Sequence, residues 1–133
     1  MIVVDTNVIA YFVIPGDNTE LAEAVRIKDS VWAAPKLWRS EMRNLLALYL
    51  RSGNFDLTAA KEYMSDSITL VSGNEFNVDS DHIIELANAS RCTAYDCEFV
   101  SVAEKLKLPL VTSDKKLLAA FPDFAISMAD FVS

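Results

Sequence analysis

The chain opens on Ile2-Val3-Val4, a wholly apolar and β-branched run that stops abruptly at Asp5. A run without polar alternation has both faces covered, as a central parallel strand does. Similar short runs follow. Val31-Trp32-Ala33-Ala34 reads as a second strand stopped by Pro35, Ile68-Thr69-Leu70-Val71 as a third, Leu110-Val111-Thr112 as a fourth and Phe124-Ala125-Ile126 as a short fifth. Helical patterns separate them. Residues 19–28 carry acids early and bases late, and residues 36–51 place Leu37, Trp38, Met42, Leu45, Leu46 and Tyr49 at helical spacing before the stop Ser52-Gly53-Asn54. Further helices are expected over about 58–67, 79–89 and 93–106, and around Leu117 and Leu118. Short apolar strands alternating with helices predict an α/β sandwich on a central parallel sheet.

A length of 133 residues fits a single domain, residues 1–133, with no repeat or linker to divide it. Asp5 stands where a secretory signal needs positive charge, and the uncharged stretch 6–16 is too short to span a bilayer, so a cytoplasmic protein without membrane contact is expected. Cys92, Cys97 and the lone His82 form no recognisable metal motif, which leaves reduced structural thiols. Mean hydropathy is positive at +0.21. This hints at apolar surface kept for a partner, with Tyr11, Phe12, Trp32 and Trp38 as candidates for an exposed patch unless they complete the core.

Twelve basic residues against nineteen acidic ones give a net charge of −7. That balance opposes a protein gripping nucleic acid by bulk electrostatics, and a polyanionic substrate would need divalent cations to help. In parallel sheets ligands bind beyond the carboxyl ends of the strands, where Asp5 and Asp114 both stand. Glu41 and Asp96 lie beside the apolar stripes of their helices. Each acid also has a plainer reading: Asp5 and Asp114 as turn formers or helix caps, Thr93 to Asp96 as a capping box, and Glu41 as a flank residue pairing with Arg39 or Arg43. Several ionised carboxylates converging on one place require a cation, and all-oxygen ligation favours Mg²⁺ or Mn²⁺, which suit phosphodiester hydrolysis.

Rival chemistries lack their residues. A phosphoryl-accepting receiver domain needs an Asp after the third strand, where Val71-Ser72-Gly73 stands. A haloacid-dehalogenase-like phosphatase needs a second Asp where Asn7 is found, and no Gly-x-Ser-x-Gly turn accompanies His82 for a serine hydrolase.

Four segments in order, Val4-Asp5-Thr6-Asn7, Ser40-Glu41-Met42-Arg43-Asn44, Tyr95 to Glu104 around Asp96, and Leu108 to Asp114, resemble the acidic motifs of the PIN domain family and its short VapC-type toxins. The resemblance covers essentially the whole chain. It implies a three-layer sandwich with strand order 3-2-1-4-5. It also implies a Mg²⁺- or Mn²⁺-dependent ribonuclease, the toxin of a type II toxin-antitoxin pair, with Asp5, Glu41, Asp96 and Asp114 as catalytic metal ligands. Thr6, Asn7, Thr112 and Ser113 would support those ligands, and Arg39, Arg43, Arg51, Lys115 and Lys116 are candidate RNA contacts. A homodimer and a VapB-like antitoxin are the expected partners. The alternative is a catalytically inactive PIN-fold module that binds RNA or protein. Where some members carry another acid after the fourth motif, this chain has Lys115-Lys116-Leu117, which puts a second metal position in doubt.

Overall fold

The computed structural model describes all 133 residues. Five parallel strands form its centre: β1 (Ile2–Val4), β2 (Trp32–Pro35), β3 (Glu75–Phe76), β4 (Leu110–Val111) and β5 (Ala125–Ile126), in the order β3-β2-β1-β4-β5. Eight helices flank them: α1 (Thr6–Val13), α2 (Thr19–Lys28), α3 (Trp38–Arg51), α4 (Leu57–Leu70), α5 (Ser80–Ser90), α6 (Ala94–Leu106), α7 (Lys115–Ala120) and α8 (Met128–Val132). None is long and apolar enough to cross a membrane.

β1 is central because nothing on it needs water. Val3 and Val4 are fully buried, as are Leu110 and Val111 of β4, and each such side chain contributes roughly 1.5–3 kcal/mol relative to exposure. The β1–β4 register pairs Val4 with Val111. The next residues of both strands therefore emerge side by side at the carboxyl edge of the sheet. Helix α6 packs across β1, β2 and β4, burying Phe99, Val100 and Ala103.

Two expectations fail for physical reasons. Residues 68–71 end helix α4 instead of forming a strand, since Ala60, Ser67 and Val71 bury at helical spacing and Ser67 Oγ donates to the Tyr63 carbonyl at 2.8 Å. The third strand lies further on, at Glu75–Phe76, where two residues with one acid give no apolar run. The exposed patch expected from Tyr11, Phe12, Trp32 and Trp38 does not form as such, although Tyr11 lines a cavity. Trp32 and Trp38 are fully buried, and Phe12 lies edge-on to Trp32 with ring centroids 5.5 Å apart. The large apolar side chains that do face solvent include Ile27, Ile84 and Leu57, with Leu48 in the cleft lining.

Helix α1 was not expected from the sequence. Its residues TNVIAYFV are rich in β-branched and aromatic types, which are poor helix formers. Burial of Val8, Ile9 and Ala10 and the cap provided by Asp5 override that preference.

Candidate active site

Asp5 is the first residue past β1 and only 7% exposed. Its Oδ1 accepts from the Val8 backbone N–H at 2.9 Å, capping α1. Its Oδ2 accepts from the Thr112 hydroxyl at 2.5 Å and the Ser113 N–H at 3.3 Å, both from the end of β4. Three donors hold the carboxylate, which has about four lone-pair sites, so one remains free. Burial pushes the Asp5 carboxyl above the usual range; these hydrogen bonds oppose that shift and the charge of Asp114 adds to it.

Asp114 follows the same logic at β4. Its Oδ1 caps α7 through the Lys116 N–H at 2.8 Å and the Leu117 N–H at 3.4 Å, and Oδ2 has no partner within the chain. The Asp114 N–H donates to Thr112 Oγ1 at 3.0 Å, so one hydroxyl ties Asp114 to Asp5. For both residues the helix cap and the position in the cleft are compatible, because the cap uses a single oxygen in Asp114 and leaves a lone pair in Asp5.

Glu41, in the first turn of α3, accepts from the Thr6 hydroxyl at 2.7 Å through Oε1, leaving Oε2 unused. It pairs with neither arginine. Arg39 instead grips Glu75, with Nε to Oε1 at 2.6 Å and Nη2 to Oε2 at 2.9 Å, while Arg43 donates to Ser40 Oγ at 3.1 Å. Partial burial raises the Glu41 carboxyl, and the charges of Asp96, Asp5 and Glu98 raise it further against the Thr6 bond. Thr93 caps α6 by accepting from the Asp96 N–H at 3.1 Å, which puts Asp96 in its first turn. Asp96 is also raised, chiefly by burial and then by Asp114, while Thr93 and the Lys116 ammonium pull it down.

Asp5, Thr6, Asn7, Glu41, Asn44, Asp96 and Asp114 line one cleft of about 250 Å³, closed on its apolar side by Leu45, Leu48 and Phe99. Thr112 and Ser113 lie behind it, bonded to Asp5. Arg39, in its ion pair, is withdrawn from the cleft, while Arg43, Arg51, Lys115 and Lys116 are exposed and make no ion pair. Sequence reasoning missed Asn44 and also Glu98, whose charge reaches Glu41 and whose own carboxyl is raised by burial. Glu98 lies two residues beyond Asp96, a spacing that turns side chains apart on a helix, so no periodic signal marks it.

The donor set fits a hard divalent cation: carboxylate oxygens, none of the four acids in an ion pair, and several held above their ordinary protonation range by burial and by one another. No three of the acids stand close enough together to cage an ion by themselves. Such a layout suits an ion that keeps several waters and takes one or two carboxylates, as Mg²⁺ does.

The family model described as PIN domain matches residues 2–122. Among solved structures, PAE2754 from Pyrobaculum aerophilum is similar with a TM-score of 0.78 and 23% identity, over 98% of this chain and 92% of that one. FitAcB from Neisseria gonorrhoeae is similar with a TM-score of 0.73 and 19% identity, over 97% of this chain and 99% of that one. No curated protein matches by sequence. At these identities the likeness to solved structures speaks for the fold alone. With the family model covering nearly all of the sequence, the chain belongs to the PIN domain family, whose members are in general nucleases that use divalent metal ions.

Proposed function

We propose that this chain is a Mg²⁺- or Mn²⁺-dependent endoribonuclease, acting in the cytoplasm as the toxin of a type II toxin-antitoxin pair. The observation that carries the reading is the meeting of Asp5, Glu41, Asp96 and Asp114 in one cleft without a basic partner in ion-pair contact. A protein that only bound RNA would gain nothing from four acids at the binding face, since each repels phosphate. When bound, the ion supplies polarisation of the phosphoryl oxygen, activation of water and neutralisation of the leaving oxygen.

The chain's own residues do the positioning. Asp5, Asp114, Glu41 and Asp96 would offer the oxygens that their internal hydrogen bonds leave free, one or two of them binding the ion directly and the others through its waters. Thr112 and Ser113 fix Asp5, and Thr6 fixes the Glu41 rotamer. Asn7, exposed at the rim, presents an amide to the incoming ribose or phosphate. Lys115 and Lys116, both exposed at the start of α7, contact RNA phosphates together with Arg43.

The toxin assignment rests on the resemblance of the four acidic segments to VapC-type toxins, and it carries a homodimer and a VapB-like antitoxin as partners. A circular RNA without ends tests the activity. Linearisation with Mg²⁺ or Mn²⁺ and none with chelator supports the endoribonuclease; binding without cleavage in either condition supports the inactive module instead. Light scattering at tens of micromolar tests the dimer, and co-expression with the neighbouring open reading frame tests the antitoxin. A monomer, or a neighbour that neither co-purifies nor suppresses cleavage, removes the corresponding claim.

A further inference from the structure

A cavity of about 500 Å³ shares no lining residue with the acid cleft. Tyr11, Tyr49, Phe55 and Tyr63 line it with the polar side chains of Asp17 and Asn54, and no basic residue faces it. Phe55 meets Tyr49 edge-on at 5.9 Å and Tyr63 at 5.1 Å between ring centroids, so the rings brace one another.

The cavity lies one helical turn from the cleft. Asn7 of α1 and Leu45 of α3 line the cleft, and Tyr11 and Tyr49, four residues on in the same two helices, line the cavity. Four residues along a helix bring the same face round again after about 6 Å, the order of one nucleotide step. A strand whose phosphate lies at the acids thus has a neighbouring base over the aromatic cavity. We propose that this cavity is a nucleobase subsite, in which an unpaired guanine beside the scissile phosphate stacks on the aromatic rings while Asp17 accepts from its Watson–Crick edge. The proposal rests on the nuclease reading and names its substrate class as single-stranded RNA with a guanine flanking the cut.

The chemistry selects guanine among the four bases. A carboxylate has only acceptors, and guanine presents two adjacent donors, N1–H and the exocyclic amino group, that one carboxylate receives together. Adenine and cytosine offer one donor beside an acceptor, and uracil one donor between two acceptors. The absence of basic residues around the cavity fits a site for a base and not for a phosphate, while aromatic faces hold any base. Asp17 is exposed but pre-positioned, since it sits in a turn closed by Gly16 N–H to Thr19 Oγ1 at 2.9 Å and Thr19 Oγ1 to the Ile14 carbonyl at 3.3 Å.

The test uses the whole protein, first in chelator, where hydrolysis plays no part. Two-dimensional amide NMR with GMP, AMP, CMP and UMP should show saturable shifts at residues 16–19 and 54–55, tightest for GMP. Asp17→Asn should weaken GMP about ten-fold and leave AMP within two-fold, equivalent to about 1.4 kcal/mol of lost discrimination. Equal responses to all four nucleotides, an unchanged GMP affinity in Asp17→Asn, or no shifts up to about 10 mM would overturn the proposal. So would shifts at these amides from a co-purifying protein segment but from no nucleotide. Cut-site mapping with metal separates the two readings: cleavage without guanine bias removes the subsite and keeps the nuclease, whereas guanine binding without cleavage keeps the subsite and removes the nuclease.

Discussion

Asp114 has two physical roles that substitutions separate: it caps α7 through Oδ1, and its charge raises both Asp5 and Asp96. Asn keeps an oxygen for the cap and removes the charge, whereas Ala removes both. Loss of the cap costs about 1 kcal/mol. Unfolding entropy of roughly 2.1 cal/mol/K per residue, over 133 residues, converts that into a fall in Tm of about 4 °C. Relief of repulsion acts the other way in both variants. In metal-free buffer at pH 7, Asp114→Asn should therefore match or exceed wild type, and Asp114→Ala should lie about 4 °C below Asp114→Asn.

The pH dependence follows from the direction of the shifts. A carboxyl raised in the folded state destabilises folding once pH exceeds its folded value, and it costs nothing below its unfolded value near 4. The advantage of Asp114→Asn should accordingly fade as pH is lowered towards 4. Differential scanning calorimetry at pH 7 and pH 4 reads both effects. An Asp114→Asn variant that loses as much as Asp114→Ala at pH 7 would refute the repulsion argument and leave Asp114 a structural cap.

Other consequences are as direct. Metal-free wild type should gain stability as pH falls from 7 towards the ordinary carboxylate range, because the raised Asp5, Glu41, Asp96 and Glu98 carboxyls take up protons more readily folded than unfolded, and the raised His82 acts in the same sense by charging. A flat or falling thermal melt over that window contradicts it. Glu75→Ala should cost about 1–3 kcal/mol in urea unfolding, since it strands the Trp38 indole N–H that Glu75 accepts at 2.6 Å, while RNA cleavage stays unchanged. Lys116→Gln should bind Mn²⁺ several-fold tighter by isothermal titration yet raise the KM for RNA, because Lys116 opposes a cation near Asp96 and attracts a phosphate. Equal Mn²⁺ affinity in the two proteins would remove that role.

The strands that matter most are legible in the sequence, because β1 is an apolar run that ends at an acid and β4 is one followed within three residues by another. Parallel pairing sets Thr112 beside Asp5, and the Thr112 hydroxyl ties Asp5 to Asp114 two residues on. Glu41 and Asp96 were legible as acids on the flank of an apolar stripe. Asp5 and Asp114 cap helices and line the cleft at once, so the plainer reading of each holds alongside its place in the cleft. Other features depended on partners far apart in the chain. Arg39 finds Glu75 across 36 positions, and no local pattern announces that pair. β3 has two residues and no hydrophobic signature, and α1 is built from residues that favour strands, so tertiary burial decided both. The aromatics near the start misled because volume and hydrophobicity do not distinguish a core side chain from an interface one; Trp32 and Trp38 went inside.

Asp5→Asn separates metal-dependent cleavage from every other role of the cleft. The change nearly conserves volume and keeps an oxygen for Val8, so the fold should persist, while a neutral amide replaces the most buried of the proposed ligands. Cleavage of a defined RNA by wild type and Asp5→Asn should be measured side by side with Mg²⁺, Mn²⁺ and chelator, on proteins whose circular dichroism spectra match. Wild type should cleave with either ion and not with chelator, and Asp5→Asn should lose at least about a hundred-fold. Undiminished cleavage by the folded variant, or by wild type after exhaustive chelation, would contradict it.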